Sequence, residues 1–184
     1  MSRVLTALLI SLPALAAEPA IDVSVVIGKA RVPLSVEHRF SDVATSLPKA
    51  GRMLVEDTHE LSHDARTYCY RFGDELLEFF DSDFGVHTAR MSRSPDAGKT
   101  NCAVLNVRPV FEVAGKRFSL TTKDLPTLGG FTTNRKEQLV RLERGWTYNL
   151  DERTCMSRSV SVEGQPGQGG FDRITVMNWE EPGC

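Results

Sequence analysis

The sequence predicts an α+β fold made of two tandem repeats, each a short helical segment packed on an antiparallel β-sheet. Two short motifs recur at a constant offset of 78 residues (117 minus 39): Arg39-Phe40-Ser41 with Leu47-Pro48, then Arg117-Phe118-Ser119 with Leu125-Pro126. A fixed period is the sequence signature of a repeat architecture. In both copies a segment of helical character precedes segments of alternating polarity, which is the α+β pattern.

The elements follow in chain order. A β-hairpin that turns at Gly28-Lys29 is predicted within residues 17–37, because β-branched and alternating residues flank the turn. Repeat 1 covers residues 38–115, with a helix at 42–47 and strands at 67–72, 75–80, 85–92 and 102–107. Repeat 2 covers residues 116–184, with a helical turn at 123–128, a helix at 133–143 and strands at 146–150, 154–163 and 171–179.

Residues 1–16 have the pattern of a secretory signal peptide. A short basic start containing Arg3 precedes an apolar stretch and the small-residue cleavage site Ala14-Leu15-Ala16. The first cysteine is Cys69, so the lipid-anchor cysteine of a lipoprotein is missing after the cleavage site. No later segment is apolar enough to span a membrane. The expected location is the periplasm or the extracellular medium.

Export accounts for the cysteines, which are Cys69, Cys102, Cys155 and Cys184. An even number of cysteines in an oxidising compartment favours two disulfides, and four cysteines allow three pairings. The repeat favours one bridge in each half, that is Cys69–Cys102 and Cys155–Cys184.

The charge pattern excludes a nucleic-acid partner. The net charge is −2 at pH 7, and the basic residues are spread along the chain and not gathered into a patch. No cofactor motif is present. We therefore expect the partner to be another envelope or secreted protein.

Two pairs of aromatic residues are the candidate binding surface. Alternation along a strand places Tyr68 and Tyr70 on one sheet face, and Trp146 and Tyr148 occupy the matching positions of the second repeat. The pattern favours helices that cover this face as core, because large aromatic side chains are usually buried. The alternative, from which the four candidate binding residues come, is a continuous aromatic surface for a partner.

The one motif with catalytic chemistry is His59-Glu60-Leu61-Ser62-His63, which matches the zinc-binding pattern H-E-x-x-H. Two histidines four residues apart share a helix face and bind zinc, while the glutamate acts as a base toward the metal-bound water. Glu75 or Glu78 is the candidate third ligand. The flanks Asp57 and Asp64 are polar, whereas the helix of a zinc hydrolase is buried, so this hypothesis ranks second.

The repeat pattern resembles that of secreted β-lactamase inhibitory proteins and of the SmpA/OmlA-type envelope domains. The resemblance lies in the repeat length and in the helix start Thr122-Lys123-Asp124-Leu125 with Leu128-Gly129. It implies a helical segment on an antiparallel sheet. The duplication, the two expected disulfides and the absence of a catalytic set favour an exported, non-enzymatic binding protein of the bacterial cell envelope, that is an inhibitor, immunity protein or accessory factor. A zinc hydrolase and a small-ligand carrier are the alternatives.

Overall fold

The computed structural model describes residues 21–53, 66–136, 138–149, 151 and 153–183. In this part of the chain 59% of the residues lie in strands and 5% in helices, and no helix reaches seven residues. The fold is therefore all-β, and the α+β prediction is wrong. None of the described helices is long and apolar enough to cross a membrane.

The elements are numbered in chain order. The first group is β1 (Val23–Ile27), β2 (Ala30–Pro33), α1 (Phe40–Val43), β3 (Gly51–Met53), β4 (Arg66–Phe72), β5 (Glu75–Ser82) and β6 (Gly85–Arg93). A short 3₁₀ turn at Ala97–Lys99 follows. The second group is β7 (Ala103–Val104), β8 (Val110–Val113), β9 (Lys116–Phe118), β10 (Thr132–Lys136), β11 (Leu139–Asn149), β12 (Cys155–Gly167) and β13 (Gly170–Pro182).

The strands form two sheets. The small sheet has the order β2-β1-β8-β9, and the large sheet has the order β10-β11-β12-β13-β6-β5-β4-β3. The two-residue strand β7 joins the large sheet by parallel pairing with β4. All other strand pairs among the described residues are antiparallel.

Three helical predictions fail, and the longest is the most instructive. Helix 42–47 shrinks to the single turn α1, and residues 123–128 form no helix. Of residues 133–143, those at 133–136 lie in β10 and those at 139–143 lie in β11, paired antiparallel and not helical. Leu139, Val140 and Leu142 look like a helical stripe, but Leu142 is 4% exposed and Leu139 is 37% exposed. The two leucines therefore lie on opposite faces, as residues three apart do in a strand, whereas in a helix they would share a face.

The core lies between the small sheet and one face of the large sheet, called here the inner face. Val25, Val32 and Phe111 supply it from the small sheet, and each is fully buried. Phe79 and Ile174 supply it from the large sheet and are equally buried. The two apolar faces pack against each other and exclude water, and this hydrophobic effect is the main force that holds a two-sheet protein together.

The register reveals an internal two-fold relationship. In the small sheet β1 pairs with β8 so that Val25 lies opposite Phe111, and in the large sheet β6 pairs with β13 so that Arg90 lies opposite Thr175. On either side of these central pairs the same strands follow: a hairpin (β1–β2 or β8–β9) and a four-stranded meander (β3 to β6 or β10 to β13). The described chain is thus a duplicated unit whose halves pair edge to edge.

Matching details place equivalent residues 85 apart in the last hairpin of each half. Gly85 and Gly170 begin β6 and β13, and a Cβ on either would lie within 3 Å of a backbone oxygen. A register shift also follows Phe80 in β5 and Gln165 in β12. The structural offset therefore differs from the 78 residues of the sequence match. The domain boundaries given above stay predictions.

The predicted pairing Cys69–Cys102 is confirmed. The bridge lies on the outer face of the large sheet and packs with Leu76 and Ala97 in a small cluster of its own. It ties the loop after β6 back onto β4. No cysteine among the described residues has a free thiol, and the second predicted bridge includes Cys184, which lies outside them.

Removing this bridge should destabilise the fold. The double variant Cys69→Ala/Cys102→Ala loses a crosslink across a sequence separation of 33 residues, so we expect the free energy of unfolding to fall by about 3 kcal/mol. Urea denaturation measures this change, with Ser94→Ala in the same loop as the control. An unchanged urea midpoint in the double variant would contradict a stabilising role for the bridge.

Candidate functional site

The candidate site lies where the second half of the duplication grows longer than the first. The β4–β5 hairpin turns at Gly73-Asp74, directly after the pair Phe72 and Glu75. In the second half the corresponding pair is Arg144 and Val160, yet β11 and β12 continue pairing to Asn149 and Cys155. The second half therefore carries a sheet extension that has no counterpart in the first.

The inner face of this extension is only partly covered. Val160 and Val162 of β12 are fully buried beneath the small sheet, whereas Met156 and Arg158 further along the same face are half-buried. We call this surface the Trp146 face and define it by six residues: Arg144, Trp146, Tyr148, Arg158, Asn178 and Glu180.

Two guanidinium groups approach the indole of Trp146. The Arg144 Cζ is 5.8 Å from the indole centroid, and the Arg158 Cζ is 5.5 Å from it. Trp146 is half-buried and also packs against the main core. Each cation–π contact stabilises such a half-exposed ring by about 0.5–1 kcal/mol. The indole is thus held in one orientation while part of it stays open to solvent.

A buried amide fixes the position of Arg158. The Arg158 Nε donates a hydrogen bond to the Asn178 Oδ1 at 3.2 Å, and the Asn178 Nδ2 donates to the Leu34 carbonyl at 2.6 Å. Asn178 is 4% exposed, so a missing partner for either end of its amide would leave a buried polar group unsatisfied and destabilise the fold. These two hydrogen bonds connect the Trp146 face to the end of the small sheet.

Tyr148 is fixed by a charged acceptor. Its hydroxyl donates a hydrogen bond to the Glu180 carboxylate on β13. This bond, together with burial, raises the pKa of Tyr148 to about 12, because ionising the phenol would place a second negative charge beside Glu180. At neutral pH the phenol is therefore protonated and acts as a donor.

A cavity adjoins the Trp146 face. Its volume is about 310 Å³, and it opens between β2 and the large sheet. Leu34 contributes an apolar side chain, Arg158 and Asn178 line one side, and Asp22 and His38 add polar groups. The face thus combines an aromatic anchor, a cation and an adjoining recess.

The structure separates the four predicted binding residues into two pairs. Tyr68 and Tyr70 are on the same face of the large sheet as Trp146 and Tyr148, but β5, β6, β13 and β12 lie between them. At a strand spacing of about 4.8 Å the two pairs are roughly 24 Å apart. The four residues therefore form no continuous surface.

In the first pair Tyr70 is buried in the core, whereas Tyr68 is half-buried and packs against it. Tyr70 is 1% exposed, and its hydroxyl donates a hydrogen bond to the Pro48 carbonyl at 2.8 Å. Burial raises the pKa of Tyr70 to about 12. Tyr68 stacks on Phe40 with ring centroids 4.4 Å apart. We assign both side chains to anchoring α1 and the loop after it.

The stretch 59–63 of the zinc hypothesis lies outside the described residues. The candidate third ligands do lie within them, and each carboxylate is occupied. Glu78 accepts two hydrogen bonds from Arg90, at 2.7 and 3.0 Å, and Glu75 accepts one from Arg108 at 3.3 Å. Among the described residues no three histidine, cysteine, aspartate or glutamate side chains are grouped to hold a metal.

Sequence reasoning missed the residues that shape the Trp146 face, namely Arg144, Arg158, Asn178 and Glu180. Arg144 was detectable, because Arg144-x-Trp146-x-Tyr148 places all three side chains on one strand face. The other three come from β12 and β13, and only the strand register brings them to β11.

Comparison with protein-family models, with curated proteins and with solved structures gave no match.

The tyrosine contacts predict an unusual phenol titration. Tyr70 and Tyr148, two of the three tyrosines, should ionise near pH 12, and Tyr148→Phe should remove one of these two transitions. The folded protein holds these protons more tightly than the unfolded chain, whose tyrosine pKa is about 10. The resulting stabilisation is complete below pH 10 and is lost as the pH rises toward 12.

Near-ultraviolet absorbance of the phenolate measures this titration, with Tyr68→Phe as the matched control. If all tyrosines of the folded protein ionised together near pH 10, both the Tyr148–Glu180 contact and the burial of Tyr70 would be contradicted.

Proposed function

We propose that this chain is an exported, disulfide-stabilised, non-enzymatic binding protein of the bacterial cell envelope. It acts as an inhibitor, immunity protein or accessory factor, and it holds another protein on the Trp146 face. The observation that carries the proposal is the half-exposed indole of Trp146, which the guanidinium groups of Arg144 and Arg158 both contact.

The composition of the face supports binding to a protein. Tryptophan, tyrosine and arginine are the residues that most often dominate the binding energy of protein interfaces. Trp146, Tyr148 and Arg158 lie together here, and each is held in place by a neighbour. A side chain that is already ordered loses less conformational entropy when a partner binds, so more of its contact energy appears as affinity.

The hydrogen bonding on the face supports a binding role more than a catalytic one. The Tyr148 hydroxyl is committed to Glu180, and the Arg158 Nε is committed to Asn178. A raised tyrosine pKa makes the phenol a poor base at neutral pH. These groups are arranged to stay fixed, which suits recognition.

Export is supported by two independent features. Residues 1–16 have the composition of a signal peptide. The Cys69–Cys102 disulfide is of the kind that persists in an oxidising compartment.

The two tryptophans of the chain provide a matched test. Trp146 lies on the inner face, whereas Trp179 lies on the outer face, with its ring 4.7 Å from His87 and 5.6 Å from Phe84. We expect Trp146→Ala to weaken binding of the partner by about thirtyfold, as loss of a central anchor does. Trp179→Ala should leave the affinity unchanged.

The immobilised protein would capture its partner from envelope extract, and the captured protein, once identified and purified, would be titrated by calorimetry against both variants. Thermal unfolding of each variant shows that it is folded. A partner that is lost with Trp179→Ala but retained with Trp146→Ala would contradict the proposal.

A further inference from the structure

A histidine lies against a tryptophan at one end of the seam, which is the pairing of β6 with β13. This pairing ends where Thr88 lies opposite Met177. Just beyond, the His87 ring meets the Trp179 ring edge to face, with centroids 4.7 Å apart and planes at 85°. Phe84 packs on the same indole at 5.6 Å. Side-chain contacts therefore continue the seam where the backbone pairing stops.

A β-bulge brings His87 into this position. In the β5–β6 hairpin Phe80 lies opposite Thr88, and the next paired residues are Asp81 and Val86. His87 is thus the extra residue of β6 and has no partner on β5. Bulges of this kind redirect a side chain, and this one directs the imidazole across the seam to the indole.

Two hydroxyl groups hold the imidazole. The His87 Nδ1 is 2.8 Å from the Thr88 Oγ1, and the His87 Nε2 is 3.4 Å from the Ser82 Oγ. Ser82 and Thr88 are both buried, and His87 is half-buried. A hydroxyl group can act as donor or acceptor toward a neutral imidazole. The uncharged ring therefore fits this position with both nitrogens bonded.

The charged groups on the elements packed around His87 each have another partner. They are Asp81 of β5 and Asp83 of the turn, both beside Arg39, Arg90 of β6 with Glu78, and Glu181 of β13 with the Trp179 Nε1. A protonated His87 would thus give up hydration without gaining a counter-charge among the described residues. Burial accordingly lowers the pKa of His87 below its ordinary value of 6.5.

The opposite end of the seam has no such ring contact. The offset of 85 residues places Asp172 at the position of His87 (87 plus 85), and Asp172 is the bulged residue of the β12–β13 hairpin. It places Ser94 at the position of Trp179 (179 minus 85). Asp172 is exposed. The duplicated fold therefore forms a seam end without these two rings, and the histidine and tryptophan are a special feature of one end.

We propose that His87 is a pH-sensitive switch at the seam between the two halves. In neutral solution the uncharged ring holds the tip of the β5–β6 hairpin against β13. In mildly acidic solution the ring takes up a proton from solvent, leaves its position for water and releases the outer side of the seam. Phe84 and Trp179 then lose their shared neighbour and become more exposed.

The change stays local. On the inner side the hairpin remains attached, because the Val86 amide donates a hydrogen bond to the His38 carbonyl at 2.8 Å. β13 also remains paired with β12 as far as Pro182. The switch is therefore independent of the proposed function, since the Trp146 face keeps its arrangement when the outer side opens.

The direction of the pH dependence follows from the lowered pKa. In the unfolded chain His87 takes up its proton near pH 6.5, whereas in the folded chain it does so only at lower pH. The folded state therefore binds fewer protons in this interval. The stabilisation by the neutral ring is complete above pH 6.5 and is lost as the pH falls through the folded pKa.

Fluorescence of the full-length mature protein tests the switch. Trp146→Phe leaves Trp179 as the only tryptophan. On acidification from about pH 7.5 to about pH 5 we expect its emission to shift to longer wavelength, with one midpoint below the ordinary histidine pKa of about 6.5. His87→Phe in the same background should abolish the shift, because its ring cannot take up a proton. His38→Gln, at an exposed position, should retain it.

Two fluorescence results would overturn the switch. One is an emission of Trp179 that stays constant over this pH range, and the other is a shift that persists in His87→Phe.

NMR of the wild-type protein gives a second readout that needs no folded variant. The ring protons of His87 should titrate below pH 6.5, and the Trp179 indole N–H signal should move with the same midpoint. A His87 ring that titrates at or above pH 6.5, or one that titrates while the indole signal stays fixed, would equally contradict the proposal.

Discussion

Two antiparallel strand pairings at the centre of the molecule determine the rest of the structure. β6 with β13 joins the halves of the large sheet, and β1 with β8 joins the halves of the small sheet. Both pairings bring apolar residues onto facing sides, with Val25, Phe111, Val176 and Ala89 fully buried. Since neither half has a complete core alone, we infer that the two halves fold as one cooperative unit.

The duplication explains both the scaffold and the place where it departs from symmetry. The last hairpins of the two halves match residue for residue, including the tight glycines Gly85 and Gly170. The second half then extends β11, β12 and β13 past the small sheet, where Trp146 and Tyr148 become half-exposed. The candidate site is therefore the part of the second half that has no equivalent in the first and no role in joining the halves.

The sequence carried the local signals but not their arrangement. The hairpin at Gly28-Lys29, the Cys69–Cys102 bridge and the β11 alternation around Trp146 were all readable from residue order. The sequence predicted a helix at 133–143 because Leu139, Val140 and Leu142 resemble a helical stripe, but so short an apolar run does not distinguish a helix from a strand. Asn178 and Glu180 approach Trp146 and Tyr148 only through the register of three strands, which no local pattern encodes.

The central claim is that the partner contacts the inner face of the extension. Photo-crosslinking tests it most directly, with benzoylphenylalanine placed at Tyr148 on the inner face or at the exposed Met177 on the outer face. A crosslinked partner at position 148 and none at position 177 is the predicted result. Crosslinking at position 177 with none at position 148 would contradict the account and place the binding surface on the opposite side of the sheet.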